Sequence, residues 1–388
     1  MDERLALKIW DHLKIKQENI LQFLIQLVEN ESPSLNIEAQ YNVFDLLKKK
    51  LEELNYFVLH VPGIKTGGYL YARPLKRDKK KPLQLLIGHC DTVWALNTLK
   101  DMPVNRQKDK IGGPGIYDMK AGLAQIIFAI QVIQELSLKL SVTPVILINS
   151  DEEIGSKESS NIIKRLASIV NRAYILEPPL GFNGDLKTAR KGIGRFIVTV
   201  KGRASHAGLD PKKGVNAIVE LSHQVQALFA MNDFDKGITV NVGMIEGGIS
   251  ANVIAPESKA VVDVRVLNKS DGDYITKKIH QLKPVLSDVE LAIEGNIGRP
   301  PMEKTERNRK LWRLAKVNGS LLGLELKEAT AGGGSDGNTT SLFTPTLDGL
   351  GTNGDGAHAN HEFIFLEKLP ERTALLSLLL LADPLKKN

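Results

Sequence analysis

An alternation of strand-like and helix-like segments constrains the fold of this 388-residue chain more than any other feature of its sequence. Up to about Ile175, short apolar runs alternate with segments whose apolar residues recur at helical spacing. Strands separated by helices imply a largely parallel sheet with helices on its faces. The pattern predicts helices at 19–28, 39–54 and 120–136, and strands at 56–59, 83–87, 144–148 and 173–176.

The pattern changes near residue 190. Over 195–293 the order is strand, helix, strand, strand, helix, strand, which is typical of an α+β sandwich. After the prolines at 300–301 the alternation resumes, with helices expected at 308–322 and 367–381 and a short strand at 345–347. We therefore expect an α/β fold with a mostly parallel sheet flanked by helices in residues 1–190 and 300–388, and an inserted α+β sandwich in residues 191–299.

Composition and charge exclude several classes of protein. Apolar residues make up 42% and charged residues 25% of the chain, and we find no apolar run near the ~18 residues that cross a bilayer. The first residues do not form a secretory signal, and a single cysteine excludes an internal disulfide framework. The net charge of +6 is densest at 76–81, in a turn between prolines without aromatic residues. We expect a cytoplasmic protein that binds neither nucleic acid nor membrane.

Metal-ligand side chains follow the predicted strands at their carboxyl ends. In open α/β sheets these ends lie along the edge where ligands bind. Carboxylates that converge on one edge repel one another unless a cation neutralises them. The candidates are His89, Asp91, Asp118, Glu152, Glu153, Glu177 and His358.

The spacing within these groups suits a metal site. His89 and Asp91 are two residues apart in an extended segment, so they share a face while Cys90 points away. Asp91 can then hold the second ring nitrogen of a metal-binding His89. The neighbouring Glu152 and Glu153 can diverge, so that one coordinates a metal and the other stays free as a base.

Each candidate also has an interpretation that requires no metal. Asp118 precedes a predicted helix and suits a helix cap. Glu152 and Glu153 suit a helix start, where acidic side chains interact favourably with the helix dipole. His358 can be an ordinary loop histidine. The co-occurrence of these groups at several strand ends is what favours the metal site.

An ordered set of motifs carries a resemblance to one enzyme family. The motifs are GHCDTV, GPGIYDMKAG, NSDEEIGS, LEPP, KGRASHAG, SANVIAPESKAVVDVR, GGGSD and GAHANHEF. In this order they resemble the two-zinc metallopeptidases that include carboxypeptidase G, the aminoacylases and succinyl-diaminopimelate desuccinylase. The glutamate carboxypeptidase branch is nearest, and the resemblance extends from about residue 15 to residue 382.

The resemblance implies two Zn²⁺ ions per subunit, and a site of histidines and carboxylates also accepts Co²⁺ or Mn²⁺. His89 and Glu177 match the ligands of one metal. Glu153 and His358 match the ligands of the other, and Asp118 matches the residue that bridges the two.

The family's remaining roles also fall on matching residues. Glu152 matches the general base, and Asp91 matches the partner that orients the metal-binding histidine. His361 lies three residues after His358 and is the minority candidate for that ligand position.

The inserted domain resembles the family's lid and dimerisation domain, which implies a homodimer. His206 matches a histidine that reaches the partner subunit's active site and helps to stabilise the oxyanion. The positions that match contacts to the substrate or its carboxylate are Asn252, Arg265, Arg299, Gly332, Gly333 and Gly334.

Together these roles imply a metal-dependent hydrolase of small peptides or N-acyl amino acids. It cleaves the amide bond next to a free carboxylate by a metal-bridged hydroxide, with Glu152 as general base. The resemblance favours a carboxypeptidase G-like exopeptidase. Aminoacylase, dipeptidase and desuccinylase activities share the same metal core and stay open.

Nucleophilic hydrolases, with a serine or a cysteine, and a non-catalytic protein are the alternatives to the metal enzyme. A serine hydrolase using Ser335 is one, since residues 333–337 fit G-x-S-x-G and an aspartate and His358 follow, but a lone motif is weak evidence. A cysteine nucleophile is disfavoured because Cys90 faces away from His89 and Asp91. A non-catalytic binding protein is the other class, although every ligand and base position carries a competent residue type.

Overall fold

Two units of the chain have their own hydrophobic cores in the computed structural model, which describes residues 2–386. The first unit comprises the chain up to Thr188, Lys304–Thr330 and the chain from Ser335 onward. The second comprises Ala189–Glu303 and Ala331–Gly334. The division expected from the sequence placed the glycine-rich residues 331–334 with the first unit, whereas they cluster with the second.

Helices and strands alternate through both units. The helices are α1 Glu3–Ile15, α2 Gln17–Glu29, α3 Ile37–Glu53, α4 Ala121–Glu135, α5 Ser160–Ala167, α6 Ala217–Phe229, α7 Lys269–His280, α8 Glu306–Ser320, α9 Asp336–Thr340 and α10 Lys368–Leu381. The strands are β1 Tyr56–Val61, β2 Tyr69–Pro74, β3 Leu83–His89, β4 Asn105–Arg106, β5 Lys110–Gly112, β6 Thr143–Asn149, β7 Arg172–Ile175, β8 Leu186–Arg190, β9 Gly192–Lys201, β10 Thr239–Gly247, β11 Glu257–Val266, β12 Glu290–Arg299, β13 Glu328–Ala331, β14 Thr346–Leu347, β15 Gly354–Asp355 and β16 Phe363–Phe365.

The main sheet of the first unit has the strand order β1-β2-β6-β3-β7-β14. The pairs β6–β3, β3–β7 and β7–β14 are parallel, which agrees with the expected parallel sheet. The pairs β1–β2 and β2–β6 are antiparallel, because β2 inserts between β1 and β6. The fold class is confirmed as α/β, and the sheet is mixed because of this insertion.

Strand β3 runs through the centre of the sheet and ends at the candidate site. Leu85 and Ile87 pack into one core cluster, while Leu86 packs into the other. This follows from the period of two along a strand whose faces are both covered by helices. The strand therefore delivers His89 from a rigid, buried position.

Helix α4 covers this sheet and is almost entirely apolar and buried. With the turn before it, Ile116–Glu135 is long and apolar enough to cross a membrane by length and composition, and it is mostly buried inside the protein. Burial on this scale is typical of a core helix. The expectation that the chain lacks any run of this length is thus wrong for Ile116–Glu135.

The second unit is a four-stranded antiparallel sheet in the order β10-β11-β9-β12, packed against α6 and α7. Strand β11 alternates buried and half-buried residues, as expected when one face packs on helices. Asn216 caps α6 and Asn268 caps α7, because their side chains accept backbone N–H groups of the first turn.

Candidate metal centre

The imidazole of His89 is oriented by the residue two positions later. Its Nδ1 lies 2.9 Å from the carbonyl oxygen of Asp91 and 3.4 Å from Oδ1 of the same residue. A carbonyl oxygen only accepts hydrogen bonds, so Nδ1 carries a proton, and loss of the other ring proton leaves the lone pair on Nε2. Nε2 is therefore the atom of His89 that is available to a metal.

The carboxylate of Asp91 is fully buried and holds a second segment of the site. Oδ1 accepts the backbone N–H of Glu152 at 3.2 Å, and Oδ2 accepts that of Glu153 at 3.1 Å. Oδ2 also accepts the hydroxyl of Ser34 at 2.8 Å. Asp91 thus fixes the backbone of the two glutamates as well as the ring of His89, a second task that its spacing did not predict.

The carboxylate of Asp118 lies between two histidines. Its Oδ1 is 3.3 Å from Nε2 of His89, and its Oδ2 is 3.5 Å from Nε2 of His358. Each oxygen faces a different imidazole, which is the arrangement of a carboxylate that bridges two cations. The alternative of a simple helix cap does not explain this geometry.

Each histidine has a further carboxylate beside it. Glu177 Oε1 lies 3.3 Å from Nε2 of His89, and Glu153 Oε2 lies 3.2 Å from Nε2 of His358. Bond lengths of about 2.0–2.2 Å place two ligands of a tetrahedral zinc about 3.3 Å apart. The structure therefore brings together all five predicted ligands in two sets that share Asp118.

Three polar atoms at the centre of this cluster are buried and make no hydrogen bond within residues 2–386. They are His89 Nε2, Asp118 Oδ1 and Glu153 Oε1. A buried polar atom without a partner costs about 1–3 kcal/mol, so such atoms are normally satisfied. Imidazole nitrogen and carboxylate oxygen are zinc ligands. The residues present therefore fit a pair of divalent cations.

The electrostatics of the cluster also indicate a site for positive charge. Hydrogen bonds with Asp118 and Glu153 raise the pKa of His358 to about 10. Burial alone would lower the pKa of His89, but the carboxylates close to its ring, those of Asp118, Asp91 and Glu177, raise it well above its usual value. Burial alone would raise the pKa of Asp118, and its contacts with the two histidines lower it. Cations that bind here displace the imidazole protons, since a metal ligand must be deprotonated.

The backbone of His358 is held in an unusual conformation. Its φ is +62°, in the left-handed region that costs a residue with a Cβ free energy. The preceding Gly356 also has a positive φ, of +80°. A tight turn thus directs Nε2 of His358 toward Asp118 and Glu153, although 51% of this side chain is exposed. His361 is exposed as well.

The side chain of Glu152 lies beside the first set of ligands. One of its oxygens is within 4.8 Å of the ligand atoms of His89 and Glu177. It is only 9% exposed. Its neighbour Glu153 lies with His89 and Asp118 in the second group of ligand atoms. The two adjacent glutamates therefore diverge, as their spacing predicted.

Sequence reasoning missed Glu362, which is buried behind the site. Its carboxylate accepts the backbone N–H groups of Tyr117 at 2.8 Å and Asp118 at 3.0 Å. Burial raises its pKa to about 7. The motif GAHANHEF contains this residue, but its spacing from His358 gave no signal of the contact.

The second unit places His206 and Asn252 side by side. The two segments pair between His206 and Val253, and the backbone N–H of Ala207 donates to the carbonyl of Asn252 at 3.0 Å. Nδ1 of His206 accepts the N–H groups of Gly208 and Leu209, both at 3.1 Å, so Nε2 carries the ring proton. His206 thus presents a hydrogen-bond donor from an exposed position.

A separate part of the second unit gathers the predicted arginines. Arg265 and Arg299 lie on strands that flank β9, and both are paired with Ile193. A Cβ on Gly334 would lie 2.8 Å from Cδ of Arg299, so the close approach of the turn requires glycine there. The carbonyls of Gly333 and Gly334 accept hydrogen bonds from Arg190, a buried residue that sequence reasoning missed.

Arg265 is paired with an aspartate of its own strand. Nε and Nη2 of Arg265 form a bidentate ion pair with Asp263, at 2.8 Å and 3.0 Å. Nη1 of Arg265 lies 3.4 Å from the carbonyl of Gly332. Asp263 therefore occupies the face of Arg265 that suits a planar carboxylate.

The rival nucleophiles lie in unsuitable positions. Ser335 is fully buried, donates to Asp348 Oδ2 at 2.5 Å and caps α9. Cys90 is also fully buried, and burial raises the pKa of its thiol well above the usual value. A nucleophile must be accessible and ionisable, so the structure supports neither a serine nor a cysteine hydrolase.

The chain is similar to known peptidases in sequence. Residues 188–283 match the family model of the peptidase dimerisation domain, M20_dimer. Carboxypeptidase G2 of Pseudomonas sp. (strain RS-16) is 28% identical over 376 residues, which cover 94% of this chain and 89% of that protein.

Solved structures of the same fold give a consistent result. Aminopeptidase PepT from Bacillus cereus superposes with a TM-score of 0.80 at 21% identity, covering 94% of this chain and 98% of that one. The Bacillus subtilis YXEP protein, described as a dinuclear metal binding peptidase from the M20 family, superposes with a TM-score of 0.71 at 16% identity, covering 95% and 98%. The findings confirm the resemblance to the two-zinc metallopeptidases and the α/β fold with a dimerisation domain.

Proposed function

We propose that this chain, a homologue of the M20 metallopeptidases, is a two-metal hydrolase that cleaves the amide bond next to a free carboxylate in a small peptide or N-acyl amino acid. The observation that carries the proposal is the placement of Asp118 between His89 and His358, with one carboxylate oxygen toward each imidazole. Two separate ligand sets that share one carboxylate suit a pair of cations.

In this proposal His89 and Glu177 hold one ion, Glu153 and His358 hold the other, and Asp118 bridges them. Zn²⁺ fits these ligands, and Co²⁺ or Mn²⁺ are alternatives. When bound, the two ions supply Lewis acidity toward the scissile carbonyl and toward the attacking water.

Glu152 is the proposed general base. Its carboxylate lies within 4.8 Å of the ligand atoms of His89 and Glu177, where it can take a proton from the attacking water and pass it to the leaving amine. Asp91 positions both His89 and Glu152. Its backbone carbonyl accepts Nδ1–H of His89, and its carboxylate accepts the backbone N–H of Glu152.

Residues of the second unit are proposed to recognise the substrate. Arg299 is the proposed partner of the free carboxylate, because its planar guanidinium suits bidentate recognition of a carboxylate. The backbone of Gly334 lies beside Arg299, and the turn of Gly333 and Gly334 is proposed to contribute N–H groups. The full set of proposed binding residues is Asn252, Arg265, Arg299, Gly333 and Gly334.

We also propose a homodimer that forms through the second unit. The match to a peptidase dimerisation domain supports it. Exposed apolar side chains on α6 and near the edge strand β10 give it a surface, namely Ile218, Val219, Met244, Ile245 and Ile249. In the dimer, His206 donates its Nε2–H to the oxyanion in the partner subunit. Light scattering in solution tests this state, and a monomer at micromolar concentration contradicts it.

The homology to carboxypeptidase G2 favours release of a C-terminal residue. The experiment is a screen of dipeptides and N-acyl amino acids with the Zn²⁺-loaded protein. We expect release of a C-terminal amino acid, loss of hydrolysis with a chelator, and recovery when Zn²⁺ is restored. Preferred cleavage of N-acyl amino acids supports the aminoacylase alternative, and cleavage of N-succinyl substrates supports the desuccinylase alternative. Hydrolysis that persists after the metal is removed, or its absence with every substrate, contradicts the proposal.

A further inference from the structure

The carboxylate of Glu362 is saturated with hydrogen bonds from separate segments of the first unit. Oε2 accepts Nε1–H of Trp94 at 2.9 Å and the backbone N–H of Gly115 at 2.9 Å. Oε1 accepts the backbone N–H groups of Tyr117 at 2.8 Å and Asp118 at 3.0 Å. An ionised carboxylate offers about four acceptor positions, and here each is used.

Each segment that Glu362 contacts also carries a proposed metal ligand. Trp94 lies five residues after His89, on the loop that follows β3. The backbone of 115–118 ends at Asp118, the proposed bridging ligand. Glu362 itself lies four residues after His358. One buried side chain thus connects the loops that carry three of the five ligands.

The backbone of Glu362 is held as firmly as its side chain. Its carbonyl accepts the N–H of Gly113 at 3.2 Å, and the next residue begins β16, which pairs with β5. A Cβ on Gly356 would lie 2.9 Å from the Cα of Glu362, so the turn that carries His358 packs directly on this residue. The backbone of Glu362 therefore fixes the position of its carboxylate.

We propose that Glu362 is a positioning residue that sets the distance between Asp118 and His358, and through it the affinity for the ion that these two residues share. It contacts the backbone of Asp118 and leaves the carboxylate of Asp118 to the metals. The inference rests on the proposed function for the identity of the ligands, and it assigns Glu362 no contact with substrate or with reacting atoms.

The test is Glu362→Gln in the full-length protein, with Zn²⁺ titrated into the metal-free form by calorimetry. Glutamine keeps the shape of the side chain, but its NH₂ group cannot accept the two N–H donors that face one oxygen. Outer partners of metal ligands typically contribute about 10–100-fold to metal affinity. We expect one of the two binding steps to weaken by about 10–100-fold, and the absorption spectrum of the Co²⁺-substituted protein to change.

The matched control is Glu220→Gln in the second unit. Glu220 is also a buried carboxylate that accepts backbone N–H groups of a loop, at Val285 and Leu286. We expect both metal affinities to be unchanged in this variant. Equal weakening in Glu220→Gln overturns the inference, because the effect would then be general destabilisation.

A milder variant keeps the test valid if Glu362→Gln does not fold. Trp94→Phe removes one donor and keeps the aromatic ring and the carboxylate. We expect a smaller loss of affinity for the same ion, by about threefold to tenfold. Wild-type affinity for both ions in each folded variant overturns the inference. Wild-type protein that binds two Zn²⁺ ions but hydrolyses no amide contradicts the proposed function and leaves the role of Glu362 intact.

Discussion

The two units hold their proposed functional residues in different ways. In the first unit, His89 and Asp118 are buried or nearly so, and each is held by a buried acidic residue: Nδ1 of His89 donates to the backbone carbonyl of Asp91, and the backbone N–H of Asp118 donates to the carboxylate of Glu362. In the second unit, His206 is exposed, and Nδ1 of its ring accepts backbone N–H groups of its own loop. Metal ligands need fixed distances, whereas groups that recognise substrates can tolerate adjustment. In the proposed function, the metal ligands and the base therefore belong to the first unit, and the substrate contacts and the oxyanion donor His206 belong to the second.

The largest expected effect belongs to the proposed base. Glu152→Gln removes the proton acceptor and leaves the ligand atoms of the other carboxylates in place. General acid–base groups contribute about 10²–10⁴-fold to turnover, so we expect kcat to fall by about that factor. The metal content, measured by atomic emission, stays at the wild-type value. Near-normal turnover in this variant removes Glu152 from the mechanism.

Asp91→Asn tests whether the hydrogen bonds of the buried Asp91 carboxylate contribute to the affinity of the site for metal. Asparagine keeps only one acceptor oxygen. It therefore cannot accept all three hydrogen bonds that Asp91 accepts, from the N–H groups of Glu152 and Glu153 and from the hydroxyl of Ser34. We expect an affinity for Zn²⁺ that is about 10–100-fold weaker, measured by competition with a chromogenic chelator. Unchanged affinity would show that the ligands are fixed without Asp91.

Substitutions of the proposed substrate-binding arginines in the second unit are expected to raise KM and to leave metal binding unchanged. A hydrogen bond to a charged group contributes about 1.5–3 kcal/mol, so we expect Arg299→Ala to raise KM by about tenfold to a hundredfold, with two ions still bound. Arg265→Ala is expected to raise KM less, because Arg299 and not Arg265 is the proposed partner of the carboxylate. Steady-state kinetics on both variants decide the order, and a larger effect at Arg265 reverses the assignment.

The smallest expected effect is structural. Asn216 caps α6, and Asn216→Ala is expected to lower the free energy of unfolding of the second unit by about 1 kcal/mol. Chemical denaturation measures this change. Zn²⁺ affinity should be that of the wild type, since the ligands belong to the first unit, and weaker Zn²⁺ binding would contradict the division between the units.

Residues with strong local patterns could be predicted from the sequence. Helix α4 was expected at 120–136 and is found at Ala121–Glu135, where apolar residues recur at helical spacing. Strand β2 was missed, and with it the antiparallel part of the sheet. It is a six-residue strand whose pairing with β6 depends on residues almost 80 positions away, as at Tyr69 and Asn149.

In the candidate site too, local patterns could be predicted from the sequence and long-range contacts could not. His89 and Asp91 were found because period-two spacing places them on one face. Glu362 was missed because its contact with Asp118 spans 244 residues and involves only backbone on one side. The pairing of Asp263 with Arg265 had a local signal, since the two residues are two apart in β11 and share a face.

The most direct test of the two-metal site is the number of Zn²⁺ ions bound per chain. Equilibrium dialysis followed by atomic emission measures it for the wild type and for Asp118→Asn. Because Asp118 faces both histidines, we predict two ions in the wild type and weakened binding of both in the variant. One ion or none in the wild type, or two tightly bound ions in Asp118→Asn, would contradict a site built around a shared carboxylate.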